Sequence, residues 1–312
     1  MKVSIVIPVY RSEETIGKLV DRLFEVLGGQ DLEIVLVNDG SPDNSHRVCL
    51  ELQARYGRSL IYLDLARNFG EHNAVMAGLN YCSGDYVVIM DDDFQNPPET
   101  IMLLVQEASG KELDVVYSRY DVKQHGVLRN LGSRFTNWVA GFLLDKPRGL
   151  YLSSFKCISR FAVNEIIKYN GPFPYIDGLI LRSISRIGVV LVPHEKREYG
   201  RSGYTFRKLA HLWLNMFVNF SVMPLRISSL MGMLFSLIGL VLSIKVVVEK
   251  LSNPTVPIGW PSVIVTGLVF AGIQLFMLGL IGEYLGRLFL SANQTPQYVV
   301  RKKLGGEEQD EC

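Results

Sequence analysis

The stretch that decides the fold is "KVSIVIPVYRSEETIGKLVDRLFEVLGGQDLEIVLVNDGS", Lys2 to Ser41. It opens on an apolar run, VSIVIPV, that reads as a strand buried on both faces. Ile16, Leu19, Val20, Leu23 and Leu27 then recur at helical spacing. Ser12 stands where an N-cap belongs, and Glu13 and Glu14 suit the first turn. A second apolar run, EIVLV, follows. Strand, helix and strand in that order make a parallel unit, because parallel strands need a crossover between them. LIYLDL, DYVVIM and LDVVYS repeat the strand pattern, and Pro97 and Pro98 open another helix, since proline is tolerated in a first turn. The expected fold class is α/β, with a mostly parallel sheet covered on both faces. Such sheets hold ligands at the carboxyl ends of their strands.

Charge is nearly balanced over the 312 residues, Lys+Arg 32 against Asp+Glu 31. That argues against a nucleic-acid binder held by phosphate contacts, which needs a basic surface. Cys49, Cys82, Cys157 and Cys312 are scattered with no CxxC pair, which argues against a zinc site or disulfide framework and fits a reducing compartment. The apolar start at KVSIVIPVY lacks the pattern of a cleaved leader.

The mean hydropathy of +0.19 is high for a soluble protein, and the excess sits after about residue 205. Residues 227–248 and 260–285 are each long enough to cross a hydrocarbon core of about 30 Å. Two buried core helices would give the same pattern; length favours a transmembrane hairpin. Before it, residues 205–226 put Leu209, Leu212, Trp213, Met216, Phe217 and Phe220 on one face, as in a helix lying on a membrane or packed on a core. Arg207, Lys208 and Arg226 precede the first span, and Arg287, Arg301, Lys302 and Lys303 follow the second. The positive-inside rule then puts both termini in the cytoplasm. The expected organisation is a catalytic domain over 1–204, a juxtamembrane helix over 205–226, two spans over 227–285 and a cytoplasmic tail over 286–312, in an inner-membrane, multi-pass protein.

Asp91, Asp92 and Asp93 end the strand DYVVIM. Period-two alternation puts Asp91 and Asp93 on one side and Asp92 on the other. A hard divalent cation, Mg²⁺ or Mn²⁺, would offset the repulsion of the pair and bridge to phosphate oxygens of a diphosphate. An isolated DxD is common and often only caps the next helix; its place after a long apolar strand and before FQNPPE makes it informative. Asp39 ends the second strand inside NDGSPD, which is also ideal turn composition.

Together, VSIVIPVYRSEETI, VLVNDGSPDNS, LARNFGEHNAVMAGL, MDDDFQNPPE, YGRSGYTFRKL and LGLIGEYLGRLF resemble the family 2 glycosyltransferases of GT-A fold, and within them the polyprenyl-phosphate glycosyltransferases. The resemblance spans nearly the whole chain. It implies a nucleotide-sugar donor, UDP- or GDP-linked, a membrane polyprenyl phosphate acceptor such as undecaprenyl phosphate, and a homo-oligomer, a tetramer in that family. It further implies that Pro8, Tyr10, Asp39, Arg67, Asp91 and Asp92 bind the nucleotide, and that Asp91, Asp93 and Gln95 surround the metal. Arg119, Arg129, Ser133, Arg134, Arg201 and Ser202 would hold the phosphates and acceptor, with Asp93, Arg129 and Arg201 catalytic.

Two departures matter. The family often reads YNE after the first strand, where this chain has Tyr10-Arg11-Ser12; Glu13 or Glu14 would have to substitute. Many relatives carry an aspartate where this chain has Leu150, leaving Asp145 and Asp177 as substitutes. A processive synthase would need more spans and a QxxRW motif, which the chain lacks. A non-catalytic membrane scaffold remains the rival from another class, and Asp91, Asp93 and Arg201 argue against it.

Overall fold

The computed structural model describes residues 1–120, 150–192, 223–252 and 259–306. The first elements are β1 (Lys2–Val9), α1 (Ile16–Leu27), β2 (Asp31–Asn38), α2 (Ser45–Tyr56), β3 (Leu60–Leu65), α3 (Glu71–Tyr81), β4 (Tyr86–Ile89), α4 (Ile101–Gly110) and β5 (Val115–Tyr120). After residue 149 come β6 (Lys156–Ser159), α5 (Arg160–Ile166), α6 (Ile176–Ser183) and β7 (Ile187–Val192). Two long helices, α7 (Met223–Ser252) and α8 (Trp260–Ala292), and a last strand, β8 (Val300–Leu304), complete the described chain.

The strands form one sheet in the order β7-β5-β6-β4-β1-β2-β3-β8. β1 pairs in parallel with both β2 and β4, and β2 with β3, so the centre is the expected parallel sheet. β6 runs antiparallel between β4 and β5, and β8 antiparallel on β3. Because β1 carries helices on both sides, its residues alternate between two cores. Ile5 and Ile7 join Leu19, Leu23, Leu36 and Leu104 in one. On the other side Gly78 of α3 faces Val6 and Val37, so closely that a Cβ there would collide with Val6. The helix sits directly on the sheet because the contact residue has no side chain.

The stripe read for α1 is the buried face: Ile16, Leu19, Val20, Leu23 and Leu27. Its start differs from expectation. The helix begins at Ile16, no side chain caps it, and Ser12 contributes its carbonyl instead, accepting from Thr15 N at 3.1 Å and Ile16 N at 3.0 Å. The Ser12 hydroxyl is directed to Asp92.

The chain divides into two compact units, Met1–Thr205 with Gln294–Cys312, and Phe206–Asn293. The segment read as a tail therefore returns to the α/β unit, where Val300–Leu304 is the edge strand of the sheet. The juxtamembrane segment 205–226 lies outside the described residues up to 222. In the second unit both predicted spans fall in long helices, and among the described residues one stretch, Phe270–Ala292, is long and apolar enough to cross a membrane. Ser228–Gly239 in α7 is a shorter apolar stretch, and Ser228 touches Met277 of α8.

Candidate active site

The carboxyl ends of β1, β2 and β4 bring together Tyr10, Asp39 and the three aspartates, as a parallel sheet dictates. Pro8 is half-buried at the end of β1 and Tyr10 is 44% exposed just beyond it. β4 ends at Ile89, and the chain turns through Asp91–Gln95 with Phe94 in the left-handed region (φ 60°). Few side chains adopt that conformation, so the turn is held by its contacts. The three carboxylates have different hydrogen-bond partners. Asp91 accepts from Ser154 Oγ at 2.7 Å. Asp92 accepts from Ser12 Oγ and from the backbone of Tyr10, which ties it to the loop after β1. Asp93, buried, accepts from the backbone N–H of Gln95 at 3.1 Å.

Burial and crowding raise the proton affinity of Asp91, Asp92 and the nearby Glu71. Burial, then the neighbouring Glu71 carboxylate, pushes the Asp91 carboxyl up to about 7. Burial pushes Asp92 up to about 6 against the opposing hydrogen bond from Ser12. Glu71, the first residue of α3, is likewise raised, first by the protein packed around it; Lys156 opposes the shift and Asp177 adds to it. Glu71 keeps an exposed surface, so it lines a crowded concavity rather than an enclosed core. Next to it, burial lowers the imidazole of His72 to about 4, and its ring meets Tyr175 edge-on at 5.2 Å.

A buried cation stands beneath these carboxylates. Lys156, 3% exposed, lies opposite Ile89 in the β4–β6 register and forms an ion pair with Asp177. Asp177 also accepts from Tyr117 OH at 2.9 Å. Asp177, one of the two substitutes for the missing aspartate at Leu150, is thus already committed; Leu150 itself is buried and Asp145 lies outside the described residues. Lys156 and Glu71 had escaped the sequence reading, although a lysine inside the apolar run FKCI was a visible anomaly.

Asp39 is 3% exposed and clamps the loop after β3. One of its oxygens accepts from Phe69 N at 2.6 Å and the other from Gly70 N at 2.9 Å. Burial raises its carboxyl, and these two N–H groups oppose the rise. The same loop presses on Gly40, whose φ is +59° and where a Cβ would lie 2.6 Å from the Arg67 carbonyl carbon. Arg67 is exposed, its guanidinium 4.8 Å from the Phe69 ring centre. Glu13, a candidate for the missing glutamate, accepts from Asn44 N at 2.9 Å. Arg119 is exposed on β5 opposite Leu191. Arg129, Ser133, Arg134, Arg201 and Ser202 lie outside the described residues.

The donor set fits a hard cation. Asp91 and Asp93 would supply oxygen ligands, and the raised proton affinity of Asp91 marks an excess of negative charge that a cation would relieve. Among the described residues no group of three or more His, Cys, Asp or Glu could hold a metal by itself. Mg²⁺ in enzyme sites is commonly bound by one or two carboxylates and completed by substrate phosphates.

A parallel sheet with an acidic turn at its carboxyl edge and a clamped loop beside it is the framework of a nucleotide-sugar transferase. Residues 4–166 match the model of glycosyl transferase family 2, and the chain belongs to that family. It is a glycosyltransferase with relatives that match end to end. The undecaprenyl-phosphate 4-deoxy-4-formamido-L-arabinose transferase of Proteus mirabilis is 32% identical over 97% of this chain and 94% of the relative. That of Yersinia pestis is 34% identical over 98% and 95%. Among solved structures, glucosyl-3-phosphoglycerate synthase of Mycobacterium tuberculosis, crystallised with Mn²⁺, UDP-glucose and phosphoglyceric acid, superposes with a TM-score of 0.54 at 18% identity, covering 70% of this chain and 77% of that one. At that identity it shows the GT-A fold.

Proposed function

We propose that the protein transfers a sugar from a UDP-linked donor to undecaprenyl phosphate at the cytoplasmic face of a membrane, with inversion and with Mg²⁺ or Mn²⁺. The observation that carries this reading is the end-to-end match, 32–34% identity, to transferases whose names specify undecaprenyl phosphate. The exposed apolar surface of α8 supports it: Leu275, Phe276, Leu285, Leu288 and Phe289 are all more than 60% exposed, the state of a helix whose solvent is lipid.

The acceptor is a phosphate monoester with a second pKa of about 6, so it reaches the site largely as a dianion. No residue has to remove a proton before attack, which removes the need for an aspartate at Leu150. One acceptor oxygen forms the new bond to the anomeric carbon while the bond from that carbon to the diphosphate breaks on the opposite face. The electron pair leaves with the nucleoside diphosphate, and the centre inverts. A divalent ion bound here supplies charge neutralisation of that leaving group. Asp91 and Asp93 would hold it, with Gln95 beside them. Asp92 fixes the loop after β1 that carries Tyr10, and Asp39 fixes the loop that carries Arg67; both orient the donor. Arg129 and Arg201 are assigned to the phosphates.

The test is a screen of nucleotide sugars, with UDP-4-deoxy-4-formamido-L-arabinose beside UDP-glucose and GDP-mannose. Label entering solvent-extractable lipid from undecaprenyl phosphate is measured with each metal and with EDTA. Metal-dependent transfer from one UDP-sugar is expected. Absence of transfer from every donor would favour the scaffold.

A further inference from the structure

The carboxyl ends of β2 and β3, toward the β8 edge of the sheet, hold a cleft of about 560 Å³. Its walls include Asn38 of β2, His46 of α2, Asp64 of β3, Arg67 of the following loop, and Arg301 and Lys302 of β8. β8 brings its two cations there by pairing with β3, which sets Lys302 opposite Asp64. Arg301 is anchored by one bond, from its guanidinium to the Ala66 carbonyl at 2.9 Å, and keeps further N–H groups free to donate. Asp64 is buried and already accepts from Asn38 Nδ2 at 2.8 Å. Among the described residues none of the three cations forms an ion pair with a carboxylate. Among the described lining residues, three cations stand against one satisfied carboxylate, an excess of positive charge. From β4 to β3 is three strand spacings, roughly 14 Å, and none of the three aspartates lines the cleft, so it is separate from the proposed metal carboxylates while sharing Arg67 with the proposed donor site.

We propose that this cleft is an anion subsite that binds a phosphate-bearing ligand through Arg67, Arg301 and Lys302 without a metal ion. Two guanidiniums with an ammonium suit phosphate oxygens, which accept forked N–H donors, and the volume lies in the range of small-molecule sites. The phosphate could come from a soluble diphosphate or from a lipid headgroup, and the chemistry is the same.

The test uses the full chain with Asp91→Asn and Asp93→Asn, so that metal-held diphosphate is eliminated. Labelled inorganic diphosphate is titrated by equilibrium dialysis in neutral detergent with EDTA. A parallel arm embeds the protein in nanodiscs of phosphatidylcholine or phosphatidylglycerol. One saturable site is expected, weakened at least tenfold by Arg301→Gln with Lys302→Gln. Lys303→Gln should leave it unchanged, because Lys303 lies over the Tyr81 ring in another cleft. Displacement by phosphatidylglycerol discs alone would identify the headgroup as the source and still support the site. If the glutamine variant loses its fold, the charge-keeping pair Arg301→Lys with Lys302→Arg should bind within about threefold of wild type. Absence of saturable binding in every arm overturns the proposal, as does an unchanged Kd in the folded glutamine variant. So does an effect of the glutamine pair that, in the chain with Asp91 and Asp93 intact, is confined to the KM for donor, which would make these residues an edge of the donor site.

Discussion

Replacing Lys156 by methionine should unfold the α/β unit at markedly lower temperature. Lys156 is 3% exposed, its ammonium pairs with Asp177 and it lies 5.1 Å from the Tyr117 ring centre. Methionine keeps most of the volume and removes the charge. Asp177, itself buried, is then left with the Tyr117 hydroxyl at 2.9 Å. Removing one partner of a buried pair costs about 3–5 kcal/mol, because the other charge stays buried without it. At 2–4 °C per kcal/mol for a domain of this size, the loss in Tm is roughly 6–20 °C. The double variant Lys156→Met with Asp177→Leu removes both charges and leaves only the Tyr117 hydroxyl short of an acceptor, a cost of about 1–3 kcal/mol. It should therefore recover at least half of the loss. The three buried thiols Cys49, Cys82 and Cys157 all lie in the α/β unit, so a thiol-reactive dye reads the melting of that unit in a Cys312→Ser background. A single variant within 2 °C of wild type, or a double variant as unstable as the single, would refute the pair as an energetic unit.

Three further outcomes follow from the site. Asp91→Asn and Asp93→Asn should each lower turnover at least a hundredfold and weaken Mn²⁺ binding seen by electron paramagnetic resonance; Asp92→Asn, which loosens only the loop after β1, should cost less than tenfold, and equal losses at all three positions would contradict the division of labour. In EDTA, Asp91 keeps its proton up to about pH 7 whereas an unfolded aspartate loses it near 3.9. The folded state alone holds that proton between those values, so its stabilising effect is full at low pH and disappears as pH rises through about 7. Metal-free Tm should thus fall from pH 5.5 to pH 8 by more in wild type than in Asp91→Asn, and parallel profiles would discount the shift. Deleting residues 299–306 should lower the Tm of the α/β unit and promote association, because it uncovers the β3 edge; unchanged Tm and an unchanged sedimentation profile would show that β8 adds nothing.

The parts of this fold that were legible are those whose signal is local. α1 could be read because its five apolar residues repeat within one helix, and the strands β1 to β5 because each is a short apolar run bounded by turn residues. β8 gave no such signal. VRKKL is a basic, edge-strand sequence, and its partner β3 lies more than 230 residues earlier, as the Arg301–Ala66 bond shows. The site divides in the same way. The aspartates were legible because a strand visibly delivers them, while Lys156 depends on Asp177 across an intervening helix. Asp39 shows a subtler limit. Its position at a strand end marked it for a ligand, yet both its oxygens hold loop N–H groups, so any part it takes in nucleotide binding includes setting the loop that carries Arg67.

The return of the chain to β3 also constrains how its apolar helices can meet a membrane. β8 is hydrogen-bonded to β3, so the residues after α8 lie on the same side as the α/β unit. Any path from β7 to β8 through a bilayer must therefore cross an even number of times. Phe270–Ala292, the stretch apolar enough to span, does not cross alone in the proposed arrangement. The partner crossing falls most simply to α7, whose 30 residues extend about 45 Å, more than a hydrocarbon core requires. In the proposed arrangement a hairpin would follow from one strand pairing together with one span, an argument independent of loop charge. A basic strand stands where a free tail was expected because the returning chain closes the β3 edge of the sheet.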